Sequence, residues 1–157
     1  MPLEIETRWF EADDQGLVPG WPLIEFLISI GADEFAVRFV YVGGDGGGKE
    51  ECDQLFSRLA FAFIGERTRE CTVTYASETN PRPAGVWRMD ADSLADLREV
   101  MPAGVRGSPN VERARAEDLC VYRQGQLLSG AVSHEQDASA RLTDAEWDRW
   151  ESWSTVG

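Results

Sequence analysis

"EFAVRFVYVGGDGGGKEE", residues 34 to 51, decides which fold the rest of the chain is read into. Its first nine residues, Glu34 to Val42, are rich in β-branched and aromatic side chains and make the best candidate for a central strand. Gly43, four further residues, Gly48 and Lys49 then reproduce the spacing of a phosphate-binding loop. In such a loop backbone amides surround the phosphates, the lysine bridges them, and a Ser or Thr hydroxyl on the next residue binds magnesium. Here the next residue is Glu50, and Asp45, Glu50, Glu51 and Asp53 place four carboxylates around the site. Their field opposes a multiply charged anion. The acid that would complete a magnesium site belongs at the end of an apolar strand, whereas "GVWRMD" is short and carries Arg88 before Asp90. The stretch therefore reads as a strand followed by a surface loop that glycines permit and acids solubilise.

Working outward, the elements do not repeat as βαβ units. "LEIETRWFEA" alternates Leu3, Ile5, Thr7 and Trp9 against Glu4, Glu6 and Arg8, an opening half-buried strand whose pattern Phe10 breaks. "WPLIEFLISIG" is a deeply packed helix, with Pro22 in its first turn and Gly31 as its stop. From Lys49 to Gly65, Cys52, Leu55, Phe56, Leu59 and Phe63 recur at helical spacing and predict an amphipathic helix. "ECTVTYAS" and "GVWRMD" predict two strands separated by a turn at "ETNPRP", and Ser93 with Asp96 suggests the capping box of a helix ending before Pro102.

Residues 102 to 116 have no clear period, which marks either a functional loop or an unread element. "DLCVYR" and "LLSGAVSH" flank Gln124-Gly125 as a hairpin, and "LTDAEWDRWESW" closes the chain as a helix capped by Thr143 and Glu146. The expected fold is α+β: one domain over residues 1–157, with a mixed or antiparallel sheet of five to six strands packed by three to four helices.

Composition supports a folded chain. Apolar residues make up 43% and aromatic ones 10%, ample for a core at 157 residues. The longest apolar segment, Trp21 to Ile30, is too short to cross a bilayer, and the acidic N-terminus is unlike a secretory signal, so a cytoplasmic location is expected. Cys52, Cys71 and Cys120 have no C-x-x-C spacing and read as reduced, buried thiols. The lone His134 excludes a histidine-cluster metal site, and the acidic stretches lack the ligand pattern of a calcium loop. Cys71, Cys120 or Ser133 could serve as a nucleophile beside His134, but no catalytic motif surrounds any of them. No catalytic residue, metal or cofactor is assigned.

Net charge is −13, unevenly spread. Residues 1 to 65 hold twelve acids against four bases, and residues 124 to 157 hold six against two, while the middle is nearly neutral. Such a field repels nucleic acid and anionic membranes and attracts cationic partners. The expectation is an acidic protein-binding inhibitor of the immunity type, covering the active site of a basic bacterial toxin such as a nuclease and existing as a monomer or weak dimer. Asp13, Asp14, Asp45, Glu50, Glu51 and Asp53 are its candidate contacts, with Trp150 as an aromatic anchor. Trp147, Trp150 and Trp153 drift around a helix, so one of the three should reach the surface. Two alternatives stay open: a phage-type nucleic-acid mimic that inhibits a defence nuclease, and a small nucleotide-binding or hydrolytic enzyme using the Gly43–Lys49 loop.

Overall fold

The computed structural model describes residues 6–11, 20–41, 53–54, 56–72, 79–100, 114–132 and 137–156. Seven strands form one sheet: β1 (Arg8–Glu11), β2 (Glu34–Tyr41), β3 (Phe63–Thr72), β4 (Thr79–Arg88), β5 (Ala114–Arg123), β6 (Gln126–Val132) and β7 (Asp137–Leu142). Their order is β1-β7-β6-β5-β2-β4-β3, and every pairing is antiparallel. Helices α1 (Trp21–Ser29), α2 (Ala91–Val100) and α3 (Asp144–Val156) join a fourth helical segment, in which residues 56–59 run into a 3-10 turn at Ala60–Ala62. The architecture is α+β, with seven strands where five to six were expected.

The additional pairing comes from residues read otherwise in the sequence. The helix expected to reach Gly65 ends early, and β3 starts at Phe63 with Gly65 at φ +136° beside a register shift. "ETNPRP", expected as a turn, lies mostly inside β4, which includes both Pro81 and Pro83. Proline supplies no ladder donor, so it survives in a strand where one side is unpaired. That condition is met here: β2 pairs β4 only at Glu34–Arg88 and Phe35–Trp87, leaving residues 79–86 paired to β3 alone. β5 likewise begins at Ala114, inside the stretch without a period.

Alternation along the strands divides the apolar residues between two faces. Phe35, Val37, Leu119, Val121, Leu128, Ala138 and Ala140 join α1, Leu97 of α2 and Trp150 of α3 in the main core. Ala36, Cys120, Tyr122 and Leu127 point the other way, into a second cluster with Cys71 of β3. Phe10 belongs to the main core and Trp9 packs on the second cluster, so β1 faces the main core with the residue that broke its sequence pattern. The β3–β4 ribbon leaves β2 after Phe35, and β3 then touches β5 and β6. The sheet therefore curls back over its second face.

Local signals fix the ends. Gln124 and Gly125 both have positive φ, 52° and 78°, as a tight I′-type hairpin between β5 and β6 requires. Asp90, not Ser93, caps α2: its carboxylate accepts from the amides of Asp92 and Ser93, while Ser93 Oγ accepts from the Asp90 amide. The expected box at the start of α3 is present, with Thr143 N–H donating to Glu146 Oε1 at 2.9 Å and Glu146 N–H to Thr143 Oγ1 at 3.1 Å.

Thr143→Ala is expected to cost about 1 kcal/mol in urea denaturation. Burial pushes the Glu146 carboxyl upward, but the Arg123 guanidinium and the Thr143 amide outweigh it and hold the group below its ordinary 4.5. A depressed carboxylate stabilises the fold above its unfolded pKa and loses that contribution as pH falls through the folded one. The cost of Glu146→Gln should thus be full at neutral pH and shrink once pH drops below 4.5; a pH-independent difference between the two proteins contradicts this assignment.

Candidate functional site

Of the acids expected to contact a partner, Asp13, Asp14, Asp45, Glu50 and Glu51 lie outside the described residues, as does His134. Asp53 is described and exposed, and its carbonyl accepts a hydrogen bond from Ser57 Oγ at 2.8 Å. Trp150 needs correction as a surface anchor. It is only 1% exposed and meets Phe26 edge-on at 5.4 Å, because the α3 side facing α1 is the side that seals the core. Trp147 is half-buried and stacks on Phe10 at 4.2 Å, while Trp153, at 40% exposure, is the member of the row that reaches solvent.

A second aromatic group sits where the expected amphipathic helix breaks. With the helix stopping at residue 59 and the chain turning through Ala60–Ala62 into β3, Leu59 and Ala62 point inward. Phe61 is left 50% exposed, and Phe56, Phe63 and Ile64 between 37% and 39%. Phe56 and Phe63 contact each other at 5.2 Å, and both rest on the buried Trp87. Charged residues of both signs flank this segment in the sequence, Asp53 and Arg58 before the turn and Glu66 and Arg67 after it. Sequence periodicity put Phe56 and Phe63 on an inward face. The early helix stop takes Phe63 out of that face, while Phe56, still inside the helix, is itself 37% exposed.

The described arginines are largely taken up by intramolecular acids. Arg8 pairs with Asp144, Arg58 with Glu99, Arg98 with Glu25 and Arg123 with Glu146. Pairing of this kind cancels charge locally, so the −13 excess is carried by acids beyond these pairs.

A cleft opens where β4 leaves β2. Its volume is about 360 Å³, and it is lined by Ala36, Val37 and Arg38 of β2, Arg82 to Gly85 of β4, Asp118 and Cys120 of β5, and Cys71 of β3. Asp118 sits in a bulge of β5 opposite Val37, at φ 55°, and its largely buried carboxylate meets Arg38 at 3.3 Å. Cys71 Sγ lies 3.4 Å from Tyr122 Oη and 3.5 Å from the Arg69 carbonyl, and the Tyr122 hydroxyl donates to the Glu70 carbonyl at 2.9 Å. A hydrogen bond from Cys120 brings the Cys71 thiol down to about 6; burial opposes this, and Tyr122 and Arg82 reinforce it. Burial and the neighbouring thiols push the Tyr122 phenol upward, so it stays protonated.

Among the described residues no group of three or more His, Cys, Asp or Glu is placed to hold a metal, and no helix is long and apolar enough to cross a membrane. Comparison with protein-family models, curated proteins and solved structures finds no match to this chain.

Proposed function

We propose that this chain is an acidic protein-binding inhibitor of the immunity type, acting in the bacterial cytoplasm on a basic toxin such as a nuclease. One observation carries this reading: the exposed Phe56, Phe61, Phe63 and Ile64 around the Ala60–Ala62 turn, in a chain of net charge −13. Aromatic groups near the centre of an interface supply most of the affinity, and surrounding charge sets encounter rate and partner choice. A partner with a cationic active-site surface meets both requirements, with Glu50, Glu51 and Asp53 taking the positions its anionic substrate would hold. The nucleotide-binding alternative gains no support from the fold, since loops of that kind are built into parallel βαβ units and the described pairings are all antiparallel.

The test starts from the protein that copurifies with this chain. It should be basic, and its enzymatic activity should be abolished at stoichiometric addition. Phe61→Ala should weaken the complex roughly tenfold or more, mainly through faster dissociation. Reversing the charges at Glu50, Glu51 and Asp53 should slow association and flatten its salt dependence. An acidic partner, an uninhibited one, or kinetics unchanged in both variants removes this reading. Calorimetric binding of ATP and magnesium that disappears in Lys49→Ala replaces it with the enzymatic one.

A further inference from the structure

Cys71 and Cys120 belong to strands that do not pair, and the curl of the sheet brings them together. Both line the cleft between β2 and β4, and each is 3% exposed. That opening gives a ligand a route to both sulfurs. Its walls combine a small apolar surface, Ala36 and Ala84, with the guanidinium of Arg82 and the Arg38–Asp118 ion pair. Such a lining suits a compact ligand with an apolar body and a carboxylate that meets Arg82.

Hydrogen bonding equips Cys71 to attack. Tyr122 has one hydroxyl proton, held by the Glu70 carbonyl in this arrangement and able to turn toward a thiolate 3.4 Å away. Cys120 and Arg82 are further donors to the same sulfur. The titratable and charged groups around Cys71 are Arg69 and Glu70 on its own strand, Arg82 on β4, Arg38 on β2, and Asp118, Cys120 and Tyr122 on β5. The hydrogen bond from Cys120, followed by those from Tyr122 and Arg82 and the charge of Arg82, favours the ionised form of the sulfur, while Arg38 is paired to Asp118.

We propose that Cys71 and Cys120 form a dithiol exchange site for small disulfides that carry carboxylates. The Cys71 thiolate attacks one sulfur of the ligand RSSR, forming a protein–SR mixed disulfide and expelling RS⁻. Cys120 then loses its proton to solvent and attacks the Cys71 sulfur. A Cys71–Cys120 disulfide forms and the second RS⁻ leaves. The protein dithiol is oxidised by two electrons and the ligand disulfide is reduced to two thiols, so the exchange needs no further reactant. In a reducing cytosol such a bond is transient, as redox-sensing disulfides are.

The probe is dithiobis(nitrobenzoate), a carboxylate-bearing aromatic disulfide, applied to the full chain with Cys52→Ser to silence the third thiol. Two coloured thiolates should be released per molecule, the protein mass should fall by two hydrogens, and peptide mapping should recover Cys71 joined to Cys120. Cys120→Ser should release one thiolate and retain a mixed disulfide at Cys71, and Cys71→Ser should lose the fast phase. The fast rate should rise with pH through about 6, the range to which the Cys71 thiol is lowered. Should either serine variant fail to fold, mapping the product of the Cys52→Ser protein decides the same question. A persistent mixed disulfide in that protein, or a reaction that begins only in the ordinary thiol range near 9, overturns the proposal. Because the readout involves no protein partner, its failure leaves the inhibitor reading untouched.

Discussion

Replacing Trp150 by alanine is expected to lower the unfolding free energy by about 3–5 kcal/mol, whereas Trp153→Ala should cost no more than about 1 kcal/mol. The two residues share a helix and a chemistry, so the difference isolates position. Trp150 is buried against Phe26 in the main core, and its removal leaves a cavity between α1 and α3 that the surrounding leucines cannot collapse to fill. Trp153 touches the same Phe26 at 5.9 Å but keeps 40% of its surface in water. Trp150→Phe offers a finer comparison. Among the described residues Trp150 Nε1 is buried without a hydrogen-bond partner, so phenylalanine removes an uncompensated donor while keeping most of the ring packing. That variant should lose clearly less stability than the alanine one. Urea midpoints at constant slope measure all three, and equal costs at 150 and 153 would mean that α3 is seated on a different face.

How far these features were legible in the sequence depends on the kind of signal. Most ends governed by local chemistry were readable: Pro22 and Gly31 bound α1, Thr143 and Glu146 cap α3, and Gln124-Gly125 makes a hairpin, whereas α2 is capped by Asp90 and not by the expected Ser93. Errors gathered where tertiary context overrides local preference. Phe56, Leu59 and Phe63 fit a helical period as well as they fit a helix, a turn and a strand start, because short apolar runs do not distinguish these. Pro81 and Pro83 argue against a strand unless its far side is free, and that side is free only because β4 separates from β2. No local pattern encodes such a separation.

Site residues were harder still. The expected acids stand out in the sequence by charge density alone, a property of composition that carries no geometry. Cys71 and Cys120 lie in two alternating segments of ordinary strand sequence, and what makes them neighbours is the curl of the β3–β4 ribbon over β5. Nothing in the spacing of the two thiols could have announced it. Phe61 gave equally little warning. An aromatic residue in an apolar run reads as core by default, and its 50% exposure follows from a 3-10 turn three residues long.

Phe35→Ala should likewise cost about 3–5 kcal/mol, but the loss should be unevenly distributed over the molecule. Phe35 is fully buried at the point where β2 holds both its neighbours, opposite Val121 of β5 and Trp87 of β4. Its ring lies nearly parallel to that of Trp87 at 5.8 Å, and Trp87 in turn supports Phe56 and Phe63. On the β5 side, pairing continues along β2 to Tyr41, so the β2–β5–β6 body retains its ladder when the ring is removed. On the β4 side, the pairing ends at Phe35 itself. The β3–β4 ribbon is thus attached to β2 over a short stretch, the Glu34–Arg88 and Phe35–Trp87 pairs with the Arg69–Glu34 ion pair, and Phe35 is its buried member. Native-state hydrogen exchange should show amides of β3 and β4 opening at a lower free energy than those of β5 and β6, with a gap wider than in the unsubstituted protein. Two functional consequences follow from the same attachment. Loosening it moves Cys71 away from Cys120, slowing closure of the proposed disulfide, and it unseats the Trp87 base under the exposed phenylalanines, weakening the proposed binding of a basic partner. Uniform loss of protection across all seven strands would instead mean that the ribbon and the rest of the sheet unfold as one unit.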